Sequence, residues 1–315
     1  MTEVAIEMRG LRKQYRNGVL ALQNLDLEVF KGDCVGYLGP NGAGKTTTIK
    51  ILANLIRPTS GNAYIYGLDV QKRPKEALCH TGFIIEVPGI YDYLTPMEML
   101  SYLGKVRGMD KGEIEQRSKE VLETVRLSEW KDRRIGSFST GMQRRFVIAQ
   151  AILHNPEILI LDEPSLGMDP EGMRDIRDII KRLRSEGKTV FLSSHLLHEI
   201  EGLCNRVVLL DKGRVLVSDT IDALKKTSKV QRIKVEFLSP PTAEQIAAIR
   251  SMESVKDVSV VNAEAKLDFD GEKATSSQIL TRLVSLGLEV VSYQPEVATL
   301  EDVYIAIMGK EGEVK

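Results

Sequence analysis

Cysteine is scarce, tryptophan scarcer, and neither sign of charge is in excess. The 315 residues include three cysteines, Cys34, Cys79 and Cys204, and one tryptophan. The cysteine number is odd, the spacing is wide and no CxxC occurs. That pattern argues against a disulfide framework or a zinc site and points to a reducing cytoplasm. Lys+Arg is 43 and Asp+Glu is 44, a net charge of −1. A dedicated nucleic-acid binder usually carries a basic excess, so no nucleic-acid partner is expected. Long apolar runs are missing as well. A spanning helix needs ~20 consecutive apolar residues. Runs such as Ile158 to Leu161 and Val207 to Leu210 are four residues long. Met1 to Gly10 has no basic segment followed by an apolar one, so no signal peptide is expected. What is there is ordinary for a globular protein, 43% apolar and 28% charged. At a soft ~150 residues per domain the length suggests about two domains.

The first two-thirds alternates short apolar runs with amphipathic stretches. Val35 to Leu38, Ala63 to Tyr66, Phe83 to Ile85, Ile158 to Leu161, Val190 to Ser193 and Val207 to Leu210 read as strands. Continuous apolar runs of that length fit strands buried on both faces, as in an α/β sheet. Between Thr95 and Leu153 apolar residues recur at helical spacing instead, which predicts a helical insert. A boundary falls near Lys225 to Lys229. Beyond it the predicted order is β-α-β-β-α-β, which suggests a small ferredoxin-like α+β domain. The expected division is residues 1–226 and 227–315, with the insert at about 95–153.

The strongest local signal is Gly39-Pro40-Asn41-Gly42-Ala43-Gly44-Lys45-Thr46, followed by Thr47. It matches G-x-x-x-x-G-K-[ST], follows a predicted strand and opens a predicted helix. Glycines let successive N–H groups turn inward onto phosphate oxygens, and the helix N-terminus adds donors and partial positive charge. Lys45 supplies a full charge at the β/γ-phosphates, and the Thr46 hydroxyl suits Mg²⁺. Farther on, Ile158 to Leu161 delivers Asp162 and Glu163 at a strand end, where α/β ligands bind. Neighbours on a strand point to opposite faces. Asp162 is therefore assigned to Mg²⁺ and Glu163 to the attacking water.

Those motifs fit many NTPases. Ser137-Phe138-Ser139-Thr140-Gly141-Met142-Gln143-Arg144-Arg145 narrows the choice, because it resembles the signature loop of ABC-type ATPases. Ser139 suits capping, and Gly141 allows close approach of a phosphate. The resemblance implies that Ser139, Thr140 and Gly141 bind the γ-phosphate of a nucleotide held by a second, identical subunit in a head-to-tail dimer. It places Tyr15 on adenine, Gly167-Met168-Asp169 at the dimer interface, and His195, after Ser193-Ser194, on the γ-phosphate. Glu86 ends the strand Thr81 to Ile85 where the family usually has a glutamine that touches Mg²⁺. Glutamate keeps an oxygen ligand but adds negative charge near phosphates. That exchange, Met142 within the signature, and the tail Thr299 to Tyr304 resemble a drug-export-like subgroup, whose ATPase subunits carry a small C-terminal accessory domain. The fold expected is thus a P-loop NTPase of the ABC type with a helical insert, followed by the ferredoxin-like domain.

The function implied is ATP binding and hydrolysis that energises a membrane permease on a separate chain, in the direction of export. Lys45, Glu163 and His195 are the catalytic residues expected, with ATP and Mg²⁺ as cofactors. The subunit is expected at the cytoplasmic face of the membrane through its permease. The competing class is a soluble ABC-type switch acting on ribosomes or DNA. Such proteins usually carry tandem ATPase domains or long coiled-coil inserts, and sustained heptads are missing here.

Overall fold

The computed structural model describes residues 3–86, 89–227, 231–296 and 299–312. The chain divides into two compact units, Met1–Thr220 and Ile221–Lys315.

The first unit opens with β1 (Val4–Gln14), β2 (Leu20–Phe30), β3 (Cys34–Leu38) and α1 (Lys45–Leu52). It continues through β4 (Ser60–Ile65), β5 (Leu68–Asp69), α2 (Pro74–Leu78) and β6 (Thr81–Ile84). The insert follows as α3 (Pro96–Val106), α4 (Lys111–Thr124) and α5 (Thr140–Ile152), with no strand between them among the described residues. The unit closes with β7 (Ile158–Asp162), α6 (Pro170–Ser185), β8 (Thr189–Ser194), α7 (Leu197–Glu201), β9 (Arg206–Asp211) and β10 (Arg214–Thr220).

Six strands form the sheet β10-β9-β3-β8-β7-β6, parallel except for the antiparallel hairpin partner β10. Every residue of β3, β7 and β8 is buried. Their continuous apolar runs are therefore what a sheet covered on both faces requires. Register pairs Leu38 with Ser194 and Asp162 with Ser193, so the carboxyl ends of three adjacent strands finish at one level. A second sheet, β2-β1-β4-β5, is antiparallel. It joins the same apolar core through Ile6, Met8, Leu22 and Val29. The helices start where local chemistry dictates. Thr95 and Glu98 form a reciprocal capping box ahead of Pro96, and Asp169 accepts the Gly172 N–H at 2.9 Å ahead of Pro170.

The second unit runs α8 (Ile221–Thr227), β11 (Gln231–Phe237), α9 (Ala243–Arg250), β12 (Val255–Val261), β13 (Glu264–Phe269), α10 (Lys273–Ser285), β14 (Val290–Glu296) and α11 (Leu300–Gly312). Its sheet, β12-β13-β11-β14, is antiparallel throughout. This is the strand order of the ferredoxin-like β-α-β-β-α-β arrangement. Ile233, Val235, Phe237, Ala265, Leu267 and Phe269 pack with Ile279 and Leu283 into its core. Arg232, Lys234 and Glu236 alternate with them, as a sheet with one apolar face demands.

Candidate nucleotide site

The turn after β3 is shaped by backbone that tolerates no side chain. Gly44 has φ +110°, and a β-carbon there would lie 2.6 Å from the Ala21 carbonyl oxygen. At Gly39 a β-carbon would lie 2.3 Å from the Leu210 carbonyl oxygen. The curled turn and the N-terminus of α1 wall a cavity of about 490 Å³ together with Tyr15, Val19, Leu20, Ala21, Glu163, Leu166 and His195. Pro40, Asn41, Gly42, Ala43, Gly44, Lys45, Thr46 and Thr47 all line it. Gly39 stands behind the wall and contributes its carbonyl, which accepts Lys45 Nζ at 2.7 Å.

Three ionisable side chains meet on this wall. Lys45 is 7% exposed, and its Nζ is 3.5 Å from Glu163 Oε1. The other Glu163 oxygen is 2.8 Å from His195 Nδ1. Asp162 sits deeper, 5% exposed, and accepts the Ser193 hydroxyl at 2.5 Å. The same hydroxyl accepts the Glu163 N–H at 3.0 Å. Strand alternation does not separate the two carboxylates. β7 ends at Asp162, and Glu163 has φ +46°, so a left-handed turn swings it toward Lys45 and His195. Left-handed backbone is strained for a non-glycine residue and persists where the surroundings hold it. His195 likewise stands one residue ahead of Leu196, the N-cap of α7, and not on the helix.

Tyr15 follows β1, and its hydroxyl is 3.2 Å from Thr47 Oγ1, so the ring is tethered at the rim of the cavity. Glu86 is not brought there. Its φ is +57°, its side chain is 65% exposed, and Oε1 takes the Lys50 ammonium at 2.5 Å. That hydrogen bond, aided by the charge of Glu86 and of nearby Asp162, holds the Lys50 pKa above its usual value against a modest burial penalty. Glu86 is thus engaged by Lys50 and does not line the cavity in this structure. Ser139, Thr140 and Gly141 lie in a different cavity of about 450 Å³, opposite Gly167, Met168 and Asp169. Ser139 caps α5 by accepting the Met142 N–H at 3.3 Å. Lys50 has no motif in the sequence to mark it, and Ser193 is marked only as a neighbour of Ser194 and His195. Neither carries a spacing signal, because each acts through a partner 31 or more residues away.

A parallel sheet with a phosphate-shaped turn at one strand end and paired carboxylates at the next defines a P-loop nucleotide-binding protein of the α/β class. A family model described as ABC transporter matches residues 22–166, and one described as ATP-binding protein DrrA1-3-like, C-terminal domain matches residues 220–308. The chain is 36% identical over 307 residues to the bacitracin transport ATP-binding protein BcrA of Bacillus licheniformis, covering 96% of this chain and 97% of that one. It is 33% identical over 309 residues to the daunorubicin/doxorubicin resistance ATP-binding protein DrrA of Streptomyces peucetius, covering 97% and 92%. A solved ATP-binding subunit of an ABC transporter superposes with TM-score 0.64 and 30% identity over 71% of this chain and 92% of its own. A dimeric ATP-binding cassette in a post-hydrolysis state with ADP and Pi superposes with TM-score 0.62 and 26% identity over 68% and 98%. The chain belongs to the ATP-binding subunits of ABC transporters, the family that hydrolyses ATP to power transport, and its relatives are of the drug-export-like kind. No relative named here supports the ribosome or DNA alternative. Among the described residues no helix is long and apolar enough to cross a membrane.

Proposed function

We propose that this chain binds and hydrolyses ATP as the cytoplasmic, membrane-peripheral subunit of an exporter, driving a permease on a separate chain. The observation that carries the reading is the placement of the Glu163 carboxylate between Lys45 Nζ and His195 Nδ1, on the wall of the phosphate-shaped cavity. The turn from Gly39 to Thr47 would hold the phosphates through its N–H groups, with Lys45 at the β/γ-phosphates. Tyr15, tethered to Thr47, offers its ring to the base.

A hydroxyl at Thr46, on the cavity wall, and a carboxylate at Asp162, at the end of β7 next to Glu163, are hard oxygen donors of the kind Mg²⁺ takes. Thr46 and Asp162 would hold the ion, which when bound neutralises charge on the β/γ-phosphates. Glu163 orients and deprotonates the attacking water, and His195 holds Glu163 from the far side and reports the γ-phosphate. The Ser139–Gly141 loop, in its own cavity beside Gly167–Asp169, serves the nucleotide of a second, identical subunit in a head-to-tail dimer. Loss of the γ-phosphate would then release the dimer.

The test is Glu163→Gln. Removing a general base lowers turnover about 10²–10⁴-fold. Fluorescent ATP should bind as tightly as before, and light scattering with Mg-ATP should show a dimer that the unmutated chain only visits. Normal turnover in Glu163→Gln removes the assignment of the base. A monomer under all conditions removes the homodimer.

A further inference from the structure

Glu199 is a carboxylate on α7 that is only 7% exposed. A charge withdrawn from water needs hydrogen-bond donors. Its donors are two hydroxyls, one in the loop after Glu163 and one at the end of β8, directly before His195. Ser165 Oγ donates to Oε2 at 2.8 Å, and Ser194 Oγ donates to the same oxygen at 3.3 Å. Ser165 lies two residues beyond Glu163, and Ser194 directly precedes His195. Ser194 Oγ also accepts the Leu196 N–H at 3.0 Å, which pins the chain on both sides of the histidine. The Glu163–His195 contact itself is made by a histidine side chain that is 40% exposed, with little packing of its own to hold it.

Glu199 has a rigid base. The next residue, Ile200, is fully buried against β3, where a β-carbon at Gly36 would lie 2.3 Å from an Ile200 methyl. Arg177 of α6 lines the same crevice as Ser165 and Glu199. Hydrogen bonds to an ionised acceptor are roughly twice as strong as neutral ones. The loop held by Ser165 continues through Leu166 on the nucleotide cavity to Gly167–Asp169 on the signature cavity.

We propose that Glu199 is a positioning residue of the ATPase reaction. It brackets the loop after Glu163 to the loop bearing His195, so that the two side chains stay in contact and a shift of the 165–169 segment reaches His195. The inference rests on Glu163 and His195 being the catalytic pair.

The experiment uses the full chain with Glu199→Ala, Glu199→Gln, Ser165→Ala and Ser194→Ala, alongside Glu163→Gln. A loosened catalytic geometry lowers rate more than binding, so kcat in Glu199→Ala should fall about tenfold or more while the Kd for fluorescent ATP stays within about twofold. Adding Ser165→Ala to Glu199→Ala should lower kcat no further, since that hydroxyl acts through Glu199. Glu199→Gln, which keeps a carbonyl acceptor, should recover most of the rate. The chain has four histidines, so their Cε1–H resonances can be followed singly; that of His195 should move and those of His80 and His154 should not, while His198 adjoins the substituted residue and is set aside. Unchanged kcat in folded Glu199→Ala overturns the proposal. So does a loss in which the His80 and His154 signals move as well and the Ser165→Ala effect adds, since that is a structural defect only. If Glu199→Ala does not fold, normal kcat and an unmoved His195 signal in both serine variants overturn it. Full turnover in Glu163→Gln removes the catalytic pairing, whereas loss there with normal Glu199→Ala removes the bracket alone.

Discussion

Lys45 in the first unit and Arg232 in the second are both cations held against carboxylates at a sheet, yet they do opposite work. Lys45 opens α1 beside a strained turn, and its Nζ faces a cavity with Glu163 still 3.5 Å away. Arg232 stands in mid-strand, directly opposite Asp268 in the register of β11 and β13. Its Nε and Nη2 donate to Asp268 at 2.7 and 3.3 Å, and Nη1 donates to Asp302 of α11 at 2.7 Å. The hydrogen bonds to Asp268 push its pKa further up, more than burial pulls it down. A cation whose every nitrogen is bound to a fixed carboxylate is a brace, and one that faces a cavity is a binding group. The difference comes from position. Strand ends in the parallel sheet release loops with free N–H groups, while mid-strand positions in the antiparallel sheet place side chains squarely opposite one another.

The sharpest way to break this comparison is to remove each cation. Lys45→Ala should lower ATP turnover by about 10²-fold or more while the melting curve hardly moves, because a buried cation facing an open cavity stabilises bound phosphate more than the fold. Arg232→Ala should leave turnover within about twofold and destabilise the second unit. It strands Asp268 and Asp302 together, with side chains 18% and 16% exposed. The cost should be about 2 kcal/mol, below the ~3–5 kcal/mol of a fully buried pair. Hydrogen exchange resolved along the chain measures both. Loss of turnover in Arg232→Ala at normal stability would undo the division of roles.

Acid separates the units by a smaller margin. His154, after α5, is half-buried, and burial together with the nearby Arg107 and Arg117 charges pulls its pKa down to about 4. The unfolded chain binds that proton near pH 6.5 and the folded chain only near 4, so the first unit loses stability as pH falls through that window. The loss should be about 1–2 kcal/mol once solvent at the ring is allowed for. In the second unit, burial raises the Asp302 pKa, but hydrogen bonds from Thr299 and Arg232 lower it by more, to a net value below 3.8. Its contribution is complete above that value and fades only below it. Hydrogen exchange at stepped pH should therefore loosen the first unit before the second, and His154→Gln should delay the first transition. Simultaneous loosening, unchanged by that substitution, rules the histidine out.

Legibility follows the same contrast. The turn from Gly39 to Thr46, the strand before Asp162 and the β-α-β-β-α-β order are written in contiguous residues, and all were readable. β1 and β2 were not read, although both are long. In β1 the register shifts at Met8/Leu11 and Leu11/Lys13, so its two-residue alternation breaks, whereas Leu25-Asp26-Leu27-Glu28-Val29 of β2 alternates buried and exposed and was legible. Asn24, with φ +57°, interrupts β2 between Leu22 and Leu25 in the same way. The placement of Glu163 depends on a left-handed φ at a residue type that does not advertise one. Glu199 reaches Ser165 across 34 residues, and Lys50 reaches Glu86 across 36. Contacts of that kind depend on the sheet order, and one sequence shows no pattern for them.

The smallest contrast lies in two helix caps that do the same local work, one with a carboxylate and one with a hydroxyl. Asp169 caps α6 by accepting the Gly172 N–H at 2.9 Å, and Thr242 caps α9 by accepting the Gln245 N–H at 3.2 Å. Replacing either by alanine strands one helical N–H and should cost about 1 kcal/mol. Their functional costs should differ. Asp169 lines the cavity of Ser139–Gly141 and ends the loop that Ser165 anchors, so losing its cap frees a segment of the proposed subunit interface. Thr242 caps a helix of the second unit. Asp169→Ala should lower turnover about threefold to tenfold at saturating ATP, since small misplacements at a catalytic interface are amplified in rate. Thr242→Ala should leave turnover unchanged at the same loss of stability. Equal turnover in the two variants, measured beside equal shifts in melting temperature, would show that the 165–169 loop does not couple to catalysis.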